Sequence, residues 1–244
     1  MKIGFFDSGM GGLFMMQSCS ETYPNHNYIY VGDTQNLPYG PRKSQEILGL
    51  MSPYLLWLLE VKKCDYVLVA CNTASAQALE SFINVYPKYS EKIMNIVHLT
   101  QNYLQANIPQ TKTLLVLATK RTVESQVYQK NGTEQLAMPG LVDLIELGDR
   151  KGAFAMLTNA LSYYPEINYV LLACTHYVAL FETLKNFYPE IQFITQDSII
   201  QSWIKDLPSK ERSQESEYYV SGEPESYIDI FSLPFKKLEI KKNH

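Results

Sequence analysis

The chain of 244 residues is short of cysteine, of basic charge and of long apolar runs, and each shortage excludes something. Four cysteines, Cys19, Cys64, Cys71 and Cys174, are too sparse to staple a chain of this size. No Cys-x-x-Cys or His-x-x-His spacing supplies metal ligands, so neither a disulfide scaffold nor a metal site is expected and the thiols are read as reduced. With 21 Lys+Arg against 25 Asp+Glu the net charge is −4, and the bases gather only in small groups such as Lys62-Lys63 and Lys236-Lys237. That balance argues against nucleic acid as the primary partner. The N-terminus meets Asp7 too soon for a secretory signal, and no apolar run is long enough to span a bilayer. The expectation is a soluble, cytoplasmic protein without a membrane partner.

What the chain does have is a sentence said twice. Asp65–Ala76 reads Asp-Tyr-Val-Leu-Val-Ala-Cys-Asn-Thr-Ala-Ser-Ala, and 168–179 reads Asn-Tyr-Val-Leu-Leu-Ala-Cys-Thr-His-Tyr-Val-Ala. Cys71 and Cys174 take equivalent places 103 positions apart. A repeat that long is domain-sized, and it implies two related halves that each carry a thiol at the end of a buried strand.

In order, Lys2–Phe6 reads as a strand entering the glycine-rich turn Asp7-Ser8-Gly9-Met10-Gly11-Gly12, with a helix over Leu13–Cys19. The turn matches neither a phosphate loop nor a dinucleotide fingerprint, so a small carboxylate suits it better than a nucleotide. Asn27–Val31 is a second strand, followed by the loop Leu37-Pro38-Tyr39-Gly40-Pro41. Ser44–Lys63 reads as a helix bent at Pro53, Tyr66–Ala70 as a strand buried on both faces, and Thr73–Val85 as the helix after it. Further strands are expected at Ile93–Leu99, Thr113–Leu117, Leu141–Ile145 (ending at Glu146), Tyr169–Ala173 and Ile191–Thr195. Helices are expected at Lys151–Ser162 and Tyr177–Phe187, and Ser198–Trp203 completes the alternation. Leu207–Glu217 reads as an exposed connector. Beyond it come a strand at Tyr218–Gly222, a short helix at Pro224–Phe231 and a fraying end at Phe235–His244. The alternation predicts an α/β protein with two pseudo-symmetric three-layer domains, largely parallel sheets and a site between them beyond the strand ends. Residues 1–97 with 207–244 form the first domain and 98–206 the second.

The pieces Phe6-Asp7-Ser8-Gly9, Gly32-Asp33-Thr34, Pro38-Tyr39-Gly40, Ala70-Cys71-Asn72-Thr73-Ala74-Ser75-Ala76 and Cys174-Thr175-His176-Tyr177, in this order and spacing, resemble glutamate racemase of the cofactor-independent aspartate/glutamate racemase superfamily. The likeness runs from Lys2 to about Phe231. It implies an isomerase that needs no pyridoxal cofactor and no metal, interconverts L- and D-glutamate and supplies the D-isomer for peptidoglycan. It also implies that Cys71 and Cys174 exchange the roles of base and acid, with Asp7 beside Cys71 and with Glu146 and His176 beside Cys174. By the same resemblance Cys71 takes the proton from the D-isomer and Cys174 from the L-isomer. Asp7, Ser8, Pro38, Tyr39, Gly40, Asn72, Thr73, Thr119, Thr122, Thr175 and His176 match positions that bind the amino acid, and homodimers are common in the family.

The chemistry asks for what the repeat supplies. Inverting an α-carbon without a cofactor needs a base on one face and an acid on the other, and a thiol with an ordinary pKa of about 8.5 can serve as either. A pocket of neutral donors would also spare the thiolate a trapping cation. Blander readings stand beside these: Cys19 and Cys64 as core residues, Asp7 as a helix cap, Glu146 as an ordinary strand end, and His26, His98 and His244 without a role. Family members carry Gly before the Cys-Thr-His and Pro after it, where this chain has Ala173 and Val178, and Asp197-Ser198 is followed by Ile199 rather than Gly. Three alternatives therefore stay open: a racemase of aspartate or another acidic amino acid, a binding or regulatory protein that has lost turnover, and a flavodoxin-like domain pair with structural cysteines.

Overall fold

The computed structural model describes residues 1–129, 133–208 and 215–240. Among them, ten strands form two sheets. The strands are β1 (Lys2–Asp7), β2 (Asn27–Gly32), β3 (Tyr66–Val69), β4 (Ile93–Asn95), β5 (Leu114–Ala118), β6 (Thr133–Ala137), β7 (Tyr169–Ala173), β8 (Gln192–Ile194), β9 (Glu217–Val220) and β10 (Phe235–Lys237). The first sheet runs β10-β9-β2-β1-β3-β4 and the second β6-β5-β7-β8, so the order 2-1-3-4 occurs twice. Every pairing is parallel. In such an order the connections leave β1 and β3, and likewise β5 and β7, toward opposite edges, which opens a crevice beyond their C-terminal ends.

The helices are α1 (Gly11–Thr22), α2 (Ser44–Leu56), α3 (Asn72–Gln77), α4 (Leu79–Val85), α5 (Ile96–Asn107), α6 (Lys120–Glu124), α7 (Leu141–Glu146), α8 (Arg150–Leu161), α9 (Phe181–Phe187), α10 (Asp197–Lys205) and α11 (Glu225–Phe231). Alternation along the strands divides the apolar residues by face. Phe5, Tyr30 and Leu68 of the first sheet share one core with Val116 and Leu171 of the second, and Leu13, Ile96, Ile200 and Ile204 from α1, α5 and α10 complete it. The opposite faces have separate cores, one around Phe6, Val31 and Val69 under α2 and α4, the other around Leu117 and Leu172 under α8. Strands buried on both faces need near-continuous apolar sequence, which is why Tyr66–Val69 and Tyr169–Ala173 read as they do.

Several expectations need correction. Leu141–Ile145 is no strand but most of α7: Gly140, in the left-handed region at φ 82°, turns the chain, and only Leu141 of that helix is buried. The strand beside β5 is Thr133–Ala137, an edge strand whose Thr, Glu and Gln hide it from an apolar scan. Ile93–Leu99 stops as a strand at Asn95, whose side chain accepts from the Val97 amide at 2.8 Å and starts α5. The helix expected to reach Lys63 ends at Leu56, three residues past Pro53, and continues as a π-helical turn over Trp57–Val61. Thr73–Val85 is broken at Ala78, and Tyr177–Phe187 begins as 3-10 turns over Thr175–Leu180 before α9. Phe235–Lys237 pairs with β9 rather than fraying, while 241–244 lie outside the described residues. So does 209–214 of the expected connector. Among the described residues, no helix is long and apolar enough to cross a membrane.

Candidate active site

Four equivalent strand ends deliver the candidate residues. β1 ends at Asp7, followed by Ser8, and β3 runs into Cys71, whose sulfur caps α3 by accepting from the Ala74 amide at 3.5 Å. In the second half β5 runs into Thr119, which caps α6, and β7 runs into Cys174, followed by the 3-10 turn that carries Thr175 and His176. Glycine is required where α1 meets that turn. A Cβ on Gly11 would sit 2.6 Å from the Thr175 carbonyl carbon, and one on Gly12 would sit 2.8 Å from the Asp7 Cβ. Gly11→Ala is therefore expected to part the two halves at Thr175. Glutamate turnover should fall at least about tenfold and the melting temperature by several degrees, since forcing atoms into a packed contact costs about 1–3 kcal/mol. Activity assay and calorimetry on one preparation check both.

These ends surround a cavity of about 210 Å³ lined by Ser8, Pro38, Tyr39, Gly40, Cys71, Asn72, Thr73, Thr119, Cys174, Thr175 and His176. Three candidates stand behind its wall instead. Asp7 accepts from the Gly12 amide at 2.8 Å and the Thr175 hydroxyl at 3.2 Å. Thr122 exchanges a hydrogen bond with Thr119 at 3.0 Å, and Thr119 in turn with Thr73 at 2.9 Å across the two halves. Glu146 meets His176 Nε2 at 2.6 Å, reaching it from the end of helix α7 rather than from a strand. Lys120 also lines the cavity, so the wall is not wholly neutral, although its side chain is 69% exposed and its ammonium pairs with Glu124 at 3.7 Å. Among the described residues no three His, Cys, Asp or Glu side chains gather as a metal site.

The two thiols sit in different fields. Burial and the Asp7 charge push Cys71 up to about 12, against the pull of Ser8, 3.3 Å away, and of the Ala74 amide. Beside Cys174 stands His176, with Nδ1 in a long 3.9 Å contact to the sulfur. Burial disfavours its charge, yet the bonds to Cys174 and Glu146 win and hold the imidazole well above its ordinary value. Asp7 is raised by complete burial, in part offset by His176 and by its amide donors. Cys71 is thus held as a thiol at neutral pH. Since thiolate is the nucleophile, alkylation of Cys71 by iodoacetamide should accelerate about tenfold per pH unit from about pH 7 to 11. Peptide mass spectrometry reads that slope; a rate flat through neutrality would contradict it.

Asp33, Tyr54, Ser221, Gln196 and Tyr128 were not legible as site residues. Fully buried Asp33 accepts from Tyr39 and Ser221 at 2.7 Å each and from Asn36 at 2.8 Å, pinning the 37–41 loop to the C-terminal segment. Gly32-Asp33-Thr34 at a strand end was the available signal. Nothing local marks Ser221 or Gln196, whose partners lie 188 and 124 positions away.

Thiols from matching strand ends of two repeated halves, meeting at one small cleft, meet the needs of a racemase that works without a cofactor, and that is the class this fold and site define. No protein-family model matches the chain. A glutamate racemase of Carboxydothermus hydrogenoformans is 32% identical over 250 residues, covering 96% of this chain and 91% of that protein. The glutamate racemase structure from Campylobacter jejuni superposes with a TM-score of 0.80 at 30% identity, over 94% of this chain and 96% of that one. One from Francisella tularensis, solved in complex with D-glutamate, shares the fold at a TM-score of 0.80 and 23% identity, over 98% and 97%. The chain belongs to the glutamate racemase family.

Proposed function

We propose that the protein interconverts L- and D-glutamate in the cytoplasm, supplying the D-isomer for peptidoglycan, with Cys71 and Cys174 as alternating base and acid. The observation that carries this is the pair of thiols, one from each repeat, lining a single cavity of about 210 Å³. In this reading residues 1–97 with 207–244 and residues 98–206 are the two domains that hold the substrate between them. The assembly carried over from the family is a homodimer, readable by sedimentation.

Ser8, Asn72, Thr73, Thr119 and Thr175 supply hydroxyl and amide donors for two carboxylates, and a carboxylate bound by such groups loses little by leaving water. The substrate's ammonium brings a positive charge between the thiols and lowers the cost of a thiolate there. With L-glutamate bound, Cys174 removes the α-proton while His176, held charged by Glu146, stabilises the thiolate form before the transfer. Cys71, whose thiol is high, gives a proton to the opposite face. With D-glutamate the roles reverse, and the Ser8 hydroxyl, 3.3 Å from the sulfur, favours the Cys71 thiolate against burial and the Asp7 charge.

Enantiomers have equal free energies in water, so kcat/KM is the same in both directions at every pH. The unlike thiols show themselves in alkylation and isotope exchange instead. Polarimetry tests the function: purified protein without added cofactor brings L-glutamate to zero rotation, with L-aspartate at least about 100-fold slower. The named relatives favour glutamate, and faster loss of rotation with aspartate would replace it.

A further inference from the structure

Asn72 lines the cleft, and its side-chain amide belongs to a closed hydrogen-bond network. Thr100, Gln196, Tyr128 and Asn72 are all buried, and every bond among them has a direction set by one backbone group. The Thr100 hydroxyl donates to the Ile96 carbonyl at 2.7 Å, and a carbonyl can only accept. Thr100 therefore receives the 2.8 Å bond from Gln196, which must turn its nitrogen that way. The Gln196 oxygen then points to Asn72 and accepts from Nδ2 at 2.6 Å. With its nitrogen so placed, Asn72 presents Oδ1 to the Tyr128 hydroxyl, which donates at 2.7 Å, and to Gln196 Nε2 at 3.1 Å. Burial holds the Tyr128 phenol above its ordinary value, so it stays a donor.

An asparagine amide can otherwise flip, exchanging donor for acceptor at little cost. Here a flip would set Nδ2 against the Tyr128 hydroxyl and Oδ1 against the Gln196 oxygen, leaving buried groups unpaired. Nδ2 carries two hydrogens; Gln196 takes one, and the other has no acceptor among the described residues. Gln196 and Tyr128 come from the second sheet's connections and Asn72 from the first's, so the network also joins the two halves.

We propose that Gln196 and Tyr128 are positioning residues that lock the Asn72 amide with its remaining N–H as a donor to a substrate carboxylate. The inference rests on glutamate as substrate and names what orients one of its ligands.

Tyr128→Phe removes one hydroxyl and keeps the ring. It should raise KM for glutamate about tenfold, the order of a lost bond to a charged group, while kcat changes less. On an Asn72→Ala background the same change should alter KM less than about twofold, because the residue it acts through is gone. Gln196→Met should repeat the pattern. A Tyr128→Phe effect of the same size in both backgrounds, or none in the native chain, would overturn the proposal, even if the melting temperature falls. The Asn72 side-chain amide in ¹⁵N-labelled protein gives a readout independent of turnover. The N–H held by Gln196 is expected to give a sharp, slowly exchanging signal in the native chain and to exchange rapidly in Tyr128→Phe, whereas identical spectra would overturn it. Native protein that leaves glutamate unracemised defeats the functional reading, and the spectra then still decide the network.

Discussion

Cys71→Ala and Cys174→Ala each bring glutamate racemisation down by about 10⁴-fold, the upper end of what a positioned proton donor or acceptor contributes. Each replaces a buried side chain that packs as a small hydrophobe, so the fold tolerates the change and the loss is chemical. The more telling result is what remains. With alanine at 71, Cys174 still faces one side of the α-carbon, so L-glutamate should exchange its α-proton with D₂O while keeping its configuration, and D-glutamate should not. Alanine at 174 should reverse this preference. Proton NMR with polarimetry checks both at once, and full turnover in either variant would end the two-thiol account.

His176→Asn is expected to lower kcat by about 10²–10³-fold with little change in KM. His176 lies 3.9 Å from the Cys174 sulfur and 3.5 Å from the Thr175 hydroxyl, and since its charge acts on the thiol, its loss weakens the proton transfer more than the binding. The sign of the pH effect follows from its raised pKa. A group held charged well above the ordinary imidazole range supplies its charge throughout neutral pH and loses it only as pH climbs through the raised value. The native enzyme should therefore keep its activity through neutrality and shed it on the alkaline side. His176→Asn should lack that limb, and an unchanged profile would contradict the assignment. Glu146→Gln should cost less, about tenfold, since Glu146 is 30% exposed and water can take over part of its bond to the ring.

The duplicated Tyr-Val-Leu-x-Ala-Cys was legible because a strand buried on both faces tolerates only apolar residues, and the small polar residues after it mark the turn where the sheet stops. The alternation also implied parallel sheets, while the order 2-1-3-4 in each half is seen only in the structure. The polar edge strand Thr133–Ala137 was not legible, because an edge strand satisfies half its backbone with solvent and needs no apolar run. Glu146 comes from the resemblance, and what the sequence does not reveal is its element: it reaches His176 from the last residue of helix α7 rather than from a strand end. Gln196 and Tyr128 were invisible because their role lies in partners far along the chain, which only the packing of α10 against α5 and of α3 against α6 brings together. Motifs at strand ends announce first contacts with a ligand, while the groups that orient those contacts carry no local signature.

The central claim is that two bases act on opposite faces of one carbon. It is tested most directly by following L-glutamate in D₂O through the first tenth of the reaction. If Cys174 removes the proton and Cys71 delivers another, every D-glutamate formed carries deuterium while the remaining L-glutamate keeps its original proton. D-glutamate that forms with its proton retained would mean that a single base carries the proton from one face to the other, and the account built on Cys71 and Cys174 would fall.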